Sequence, residues 1–131
     1  MAKDVREFVR TRAGGRCEYC RIPDGADEWP FHLEHIISRQ HGGGGELENL
    51  AWACSRCNLN KGPNLSSIDP ASGEPTPLFH PRTQHWEEHF QINDGRIVGL
   101  TVVGRVTVRL LAMNVSSRIE LRRRLHDLGD L

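Results

Sequence analysis

The sequence predicts an α+β protein whose small core is stapled by zinc, and three observations point there. Four cysteines fall as two C-x-x-C pairs, Cys17/Cys20 and Cys54/Cys57. Short alternating, β-type patterns lie between the pairs. Helical periodicity appears before the first pair and again in the C-terminal third. With 131 residues, 37% hydrophobic and 26% charged, the chain has the size of one domain. Residues 1–62 are expected to form the core with its N-terminal helix. Residues 63–131 should form an extension, a Pro-rich connection followed by a β-hairpin and C-terminal helices, packed on that core as part of the same domain.

The elements follow in order. Asp4 and Glu7 make a capping-box-like start, and Val5, Phe8 and Val9 supply an apolar stripe, so a helix is expected over 4–13, stopped by Gly14-Gly15. "RIPDGADE" is rich in turn residues, "PFHLEHII" reads as a short strand, residues 38–48 as a loop, and "NLAWA" as a second strand leading into Cys54. "CSRCNLNKG" should open a short helix that ends at Gly62-Pro63. Residues 63–81 hold five of the seven prolines and read as an irregular connection. In "HWEEHFQI" Trp86, Phe90 and Ile92 alternate with polar residues, and an Asp94-Gly95 turn joins this strand to "RIVGLT" as a hairpin. "VVGRVTVRLLAMN" mixes strand and helix signals, and its length and Leu110, Leu111 and Met113 favour a helix. Ser117 and Glu120 are expected to cap a last helix with Leu121, Leu125 and Leu128 on one face.

Composition narrows the class. Seventeen basic and seventeen acidic residues cancel, so net charge does not advertise a polyanionic partner. The start "MAKDVREFVRTRAGG" is charged throughout, unlike a secretory leader, and no apolar run approaches the ~18 residues of a membrane span. A cytoplasmic protein with no membrane partner is the expectation. In a reducing compartment disulfides do not persist, whereas each C-x-x-C pair can fill two corners of a zinc tetrahedron. A structural zinc on Cys17, Cys20, Cys54 and Cys57 is therefore expected, the alternatives being redox dithiols or cysteines that are merely buried. The 33 residues between the pairs exceed a simple ribbon spacing, so a strand-loop-strand-helix unit is inserted there.

Taken together, Cys17-x2-Cys20, Glu34-His35-Ile36, Gly42-Gly43, Asn49-Leu50, Cys54-x2-Cys57-Asn58 and Lys61-Gly62, in that order, resemble an HNH endonuclease of the zinc-containing ββα-metal type. The motif spans residues 17–62. The tail from Leu78 to Asn114 is also similar to the extension of a bacterial group of such proteins. The resemblance implies a metal-dependent endonuclease acting on nucleic acid, with DNA the expected substrate. His35 would be the general base, because an imidazole titrating near neutrality can take a proton from water. Glu34 and the amide oxygen of Asn58 would hold one Mg²⁺ or Mn²⁺, a hard ion that wants oxygen ligands. Asn49 would bracket the loop and orient His35. Zinc would be a scaffold, since four thiolates leave it no open position.

Three positions depart from the commonest family pattern: Glu34 stands where Asp is usual, Ser38 where Pro is frequent, and Asn58 where many members have His. Strand alternation also sends Glu34 and His35 to opposite faces, so both can serve one site only if the strand ends, bulges or twists there. His32 shares the Glu34 face and, with Lys61, is a candidate substrate contact. Gly42 to Gly45 could admit a nucleic-acid backbone or form a free loop tip. His80, His85 and His89 read as solvated histidines, and Arg118, Arg122, Arg123 and Arg124 as an exposed helix face or a phosphate grip. A non-catalytic four-cysteine zinc module that binds nucleic acid or protein is the alternative function, and a nuclease for RNA or structured ends a further one. Oligomeric state, target sequence and mode of cleavage are not encoded in any of these motifs.

Overall fold

A computed structural model of the chain describes residues 2–131. It runs α1 (Ala2–Arg12), β1 (His32–His35), β2 (Leu50–Ala53), α2 (Ser55–Lys61), β3 (Ser66–Ile68), β4 (Pro75–Pro77), α3 (Trp86–His89), β5 (Phe90–Asn93), β6 (Arg96–Gly99), α4 (Val102–Leu110) and α5 (Ser116–Asp127). The strands form three separate antiparallel pairs, β1–β2, β3–β4 and β5–β6. The fold class is α+β, as the periodicities require.

The β1–β2 hairpin is the centre of the molecule. Its register pairs His32 with Ala53, Leu33 with Trp52, Glu34 with Ala51 and His35 with Leu50. All four residues of β2 are buried, which is why "LAWA" reads as a continuous apolar run rather than an alternation. One end of β2 leads directly into Cys54, whose sulfur accepts the Cys57 N–H and caps α2. The N-terminal helix covers the hairpin: Val9 is fully buried, and Arg12 donates to the Leu47 and Leu50 carbonyls. Phe8, read as part of the apolar stripe, is instead half exposed beneath the Arg12 guanidinium.

Several elements of the extension differ from expectation. The connection after Gly62 contains the β3–β4 pair, whose two prolines sit on an edge where their missing N–H groups cost nothing. Trp86–His89 is a single helical turn and not the start of a strand; it drops Trp86 beside Phe90, ring centroids 5.1 Å apart. Phe79 meets Phe90 edge-on at 5.1 Å. The ambiguous stretch is a helix, α4, started by Thr101, whose hydroxyl accepts the Gly104 N–H. At Gly104 a Cβ would lie 2.1 Å from the His89 carbonyl oxygen. Only glycine lets α4 pack this closely on the β5–β6 hairpin.

The last helix corrects the sequence reading most. It begins at Ser116 behind Val115, with no side-chain cap, and its buried face is Ile119, Arg122 and Leu125; Leu128 is exposed. Arg122, expected on a solvated face, is fully buried. Its guanidinium donates to the Gly95 carbonyl at 2.7 Å, the Met113 carbonyl at 2.5 Å and the Asn114 amide oxygen. Arg118 pairs with Asp27 at 3.1 Å, and Arg123 reaches the Asp94 carbonyl and carboxylate. These arginines tie down the chain's own turns because a planar, multi-donor head matches clustered carbonyls. Arg122→Met should cost about 3 kcal/mol, the scale of leaving buried acceptors unpaired, read as a lower urea midpoint with secondary structure retained.

Candidate active site and metal centre

The two C-x-x-C pairs converge. Their four sulfurs are buried and all lie within 4.8 Å of one another. Cys20 and Cys54 sulfurs are 3.7 Å apart, close to the ~3.8 Å edge of a tetrahedron with metal–sulfur bonds of ~2.3 Å. Cys17 accepts the Cys20 N–H and Cys54 the Cys57 N–H, each at 3.4 Å, so each pair is a tight turn wrapped around its first sulfur. Burial pushes the Cys17 thiol up, whereas hydrogen bonds from Cys17, Cys20 and Cys57 pull Cys54 well below the ordinary thiol range. Four soft donors at tetrahedral separation fit a metal such as zinc.

The residues between Cys17 and Cys20 are enlisted as well. Glu18 is buried; its carboxylate accepts the Trp52 N–H at 2.8 Å and pairs with Arg82 from the extension. Tyr19 is fully buried, its carbonyl accepting the Trp86 indole N–H and its hydroxyl donating to the Glu34 carboxylate at 3.2 Å to each oxygen. Sequence analysis did not single out either residue. The available signal was the placement of a carboxylate and a phenol inside a metal-binding turn, where neither can avoid the interior.

β1 pairs with β2 in an unbroken one-to-one register, without a bulge. His32 is exposed and its Nε2 lies 3.1 Å from the Ser55 hydroxyl, which itself donates to the Pro30 carbonyl. Glu34 points inward and is 3% exposed. Lys61, expected to touch substrate, is instead 1% exposed: its ammonium donates to Glu34 Oε1 at 2.7 Å and to the Ile36 carbonyl at 2.8 Å. Burial raises the Glu34 carboxyl, and the Lys61 charge opposes that rise. Removing either partner of such a pair strands a charge in the interior, at a cost of ~3–5 kcal/mol. His35 occupies the other face of the strand, half-buried. Glu34 and His35 are thus separated by the pleat, as ideal strand geometry demands.

The loop after β1 is closed by Asn49. Its amide oxygen accepts the Ile37 N–H at 2.9 Å, and its amide nitrogen donates to the Ile37 carbonyl at 2.9 Å and the Gly44 carbonyl at 2.8 Å. Its backbone carbonyl accepts the Ile36 N–H. Asn49 therefore clasps both ends of the loop that follows His35. The glycine run has a specific reason: a Cβ on Gly43 would fall 1.7 Å from the Ile37 carbonyl oxygen. The backbone passes there with no room for a side chain. Asn58 is half-buried on α2, one turn before Lys61. Among the described residues the cysteine quartet is the one cluster of His, Cys, Asp and Glu side chains with metal-binding spacing. His89 hydrogen-bonds Thr101 at 2.6 Å, and His80 accepts the Arg82 N–H at Nδ1, so both have structural partners.

Comparison with known proteins identifies the same segment. Residues 17–64 match the HNH endonuclease family, and no curated protein or solved structure matches the chain. Among the described residues no helix is long and apolar enough to cross a membrane. The matched residues include both cysteine pairs, the β1–β2 hairpin, the Asn49 clasp and α2. Over this stretch the chain is similar to the HNH endonuclease family.

Proposed function

We propose that the protein is a metal-dependent endonuclease that hydrolyses phosphodiester bonds of DNA, with His35 as general base. The observation that carries this is the family match over residues 17–64, which contain a histidine strand, an asparagine-clasped loop and a metal-type cysteine quartet in one hairpin-helix unit. His35 is the last residue of β1, so the strand ends where the base is needed, and Asn49 fixes the loop that leaves it; both support a site that His35 shares with the neighbouring Glu34. An imidazole held on a rigid strand can take a proton from water at neutral pH with little reorganisation.

The donor set for a divalent ion is hard and small, the Asn58 amide oxygen and the Glu34 carboxylate, which suits Mg²⁺ or Mn²⁺. Such an ion supplies charge stabilisation to the phosphate and to the departing 3′ oxygen. Asn58 lies on α2 and Glu34 on β1, so the helix-to-strand packing sets their approach. Zinc on the four cysteines holds that packing in place: α2 starts at Cys54, and β2, the partner of β1, ends next to it. His32, exposed beside Ser55, is the side chain of β1 best placed to meet the substrate backbone.

One observation favours a second reading. Glu34 is already neutralised by Lys61, and a site that satisfies its own carboxylate is compatible with a four-cysteine zinc module that binds nucleic acid or protein without cutting it. Nicking of supercoiled plasmid in Mg²⁺ or Mn²⁺, with structured RNA as a parallel substrate, separates the readings. His35→Ala should lower the cleavage rate by at least ~100-fold, the usual contribution of a general base, with zinc content and fold unchanged. Equal activity of wild type and His35→Ala would assign the protein to the binding class, and RNA cleavage alone would change the substrate. Cys54→Ser should lose zinc and unfold the hairpin-helix unit, since binding and folding are coupled at such sites; far-UV circular dichroism and metal analysis read the outcome, and a folded, active variant would contradict it.

A further inference from the structure

A carboxylate buried as deeply as Glu34 has to be met by a cation, and in this structure the cation is an ammonium. Lys61 Nζ lies 2.7 Å from Glu34 Oε1 and 2.8 Å from the Ile36 carbonyl oxygen, and the Lys61 side chain is 2% exposed. Both oxygens belong to the β1 region and both are hard donors, the type that a Mg²⁺ or Mn²⁺ ion selects. Asn58, the other proposed donor, precedes Lys61 by three residues on α2 and so shares its helix face. An ammonium therefore sits on the carboxylate assigned to the divalent ion, at the end of the helix that also carries Asn58.

We infer that Lys61 is the resident placeholder for that ion: a divalent cation reaches Glu34 by displacing the Lys61 ammonium, which is driven out of the interior as the ion enters. The inference rests on the reading of Glu34 as the ion's carboxylate. Its physical basis is charge balance. Glu34 and Lys61 together are neutral, and adding a divalent ion while keeping the ammonium would leave two uncompensated positive charges in a buried space. Exchange leaves one, and the four-carbon stem of lysine can carry its head group to water. Lys61 is the last residue of α2, next to Gly62, whose positive φ ends the helix, so the displaced side chain leaves from a helix end. Tyr19 remains on the carboxylate, its hydroxyl within 3.2 Å of each oxygen. Its hydroxyl keeps Glu34 aimed at the same place before and after exchange.

The test uses full-length, zinc-loaded wild type, Lys61→Met and the double variant Glu34→Gln/Lys61→Met, titrated with Mn²⁺ by calorimetry and unfolded thermally with and without Mn²⁺. Lys61→Met should be unstable alone, regain its melting temperature with Mn²⁺, and bind Mn²⁺ at least about tenfold more tightly than wild type, because no like charge has to be expelled. The double variant, with a neutral pair, should fold without Mn²⁺ and ignore it. Wild type that binds Mn²⁺ beside a Lys61→Met protein whose instability Mn²⁺ does not relieve, or which stays unfolded even when prepared in Mn²⁺, would make Lys61 a structural residue only and overturn the exchange while leaving the ion site standing. Absence of Mn²⁺ binding in wild type and Lys61→Met alike, or undiminished binding in the double variant, would remove Glu34 as an ion ligand, and the exchange with it.

Discussion

Convergence of four sulfurs is the constraint on which the rest of this structure depends. Cys17 and Cys20 lie in the turn after α1, while Cys54 and Cys57 lie at the junction of β2 and α2. Holding the two pairs within 4.8 Å brings the N-terminal helix, the central hairpin and α2 to one point. A domain of this size has little apolar area to spend on orientation. A metal centre supplies orientation directly, because its geometry is set by bond directions rather than by the shape of a core. The hairpin strand that carries His35 is therefore aligned through its partner β2, whose end is anchored next to the sulfurs.

Around that point the protein buries charges against specific partners. Glu18 meets Arg82, Glu34 meets Lys61, and Arg122 meets a set of carbonyls with no carboxylate at all. Each joins segments distant in the chain: a cysteine turn with the loop before α3, a strand with a helix end, and α5 with the β5–β6 turn. Such contacts are directional where apolar packing is not. The extension is thereby joined to the hairpin-helix unit by specific side chains, including the Trp86 indole on the Tyr19 carbonyl and Asn60 on the Leu111 carbonyl. The aromatic cluster of Tyr19, Phe79, Trp86 and Phe90 fills the space between them.

What local patterns could reveal depended on whether the cause was local. α2 was legible because Cys54 acts as its cap and Gly62 stops it, and the β5–β6 hairpin was legible because Asp94-Gly95 adopts left-handed backbone at both turn positions. The β3–β4 pair was missed because its prolines mask a strand pattern, and Trp86–His89 was misread because four residues of helix have no period to detect. The α5 face was misread for a different reason. Helical spacing groups Ile119, Arg122 and Leu125 as readily as Leu121, Leu125 and Leu128, and only the presence of three acceptors opposite Arg122 makes an arginine the interior choice.

The candidate site divides along the same line. From the sequence alone came the four-cysteine centre, the α+β class, the segment that bears the HNH signature, and the expectation that Glu34 and His35 diverge across a pleat. All of these follow from spacing along a chain, and spacing is what a sequence records. The tertiary structure decided that Glu34 is closed off by Lys61 and Tyr19, that Asn49 holds the loop by hydrogen bonds to Ile36, Ile37, Gly44 and Glu46, that Gly43 leaves no room for a side chain, and that Arg122 lies inside. Those outcomes depend on which group from another part of the chain stands opposite. A buried charge selects its partner by distance and desolvation, and neither exists until the chain has folded.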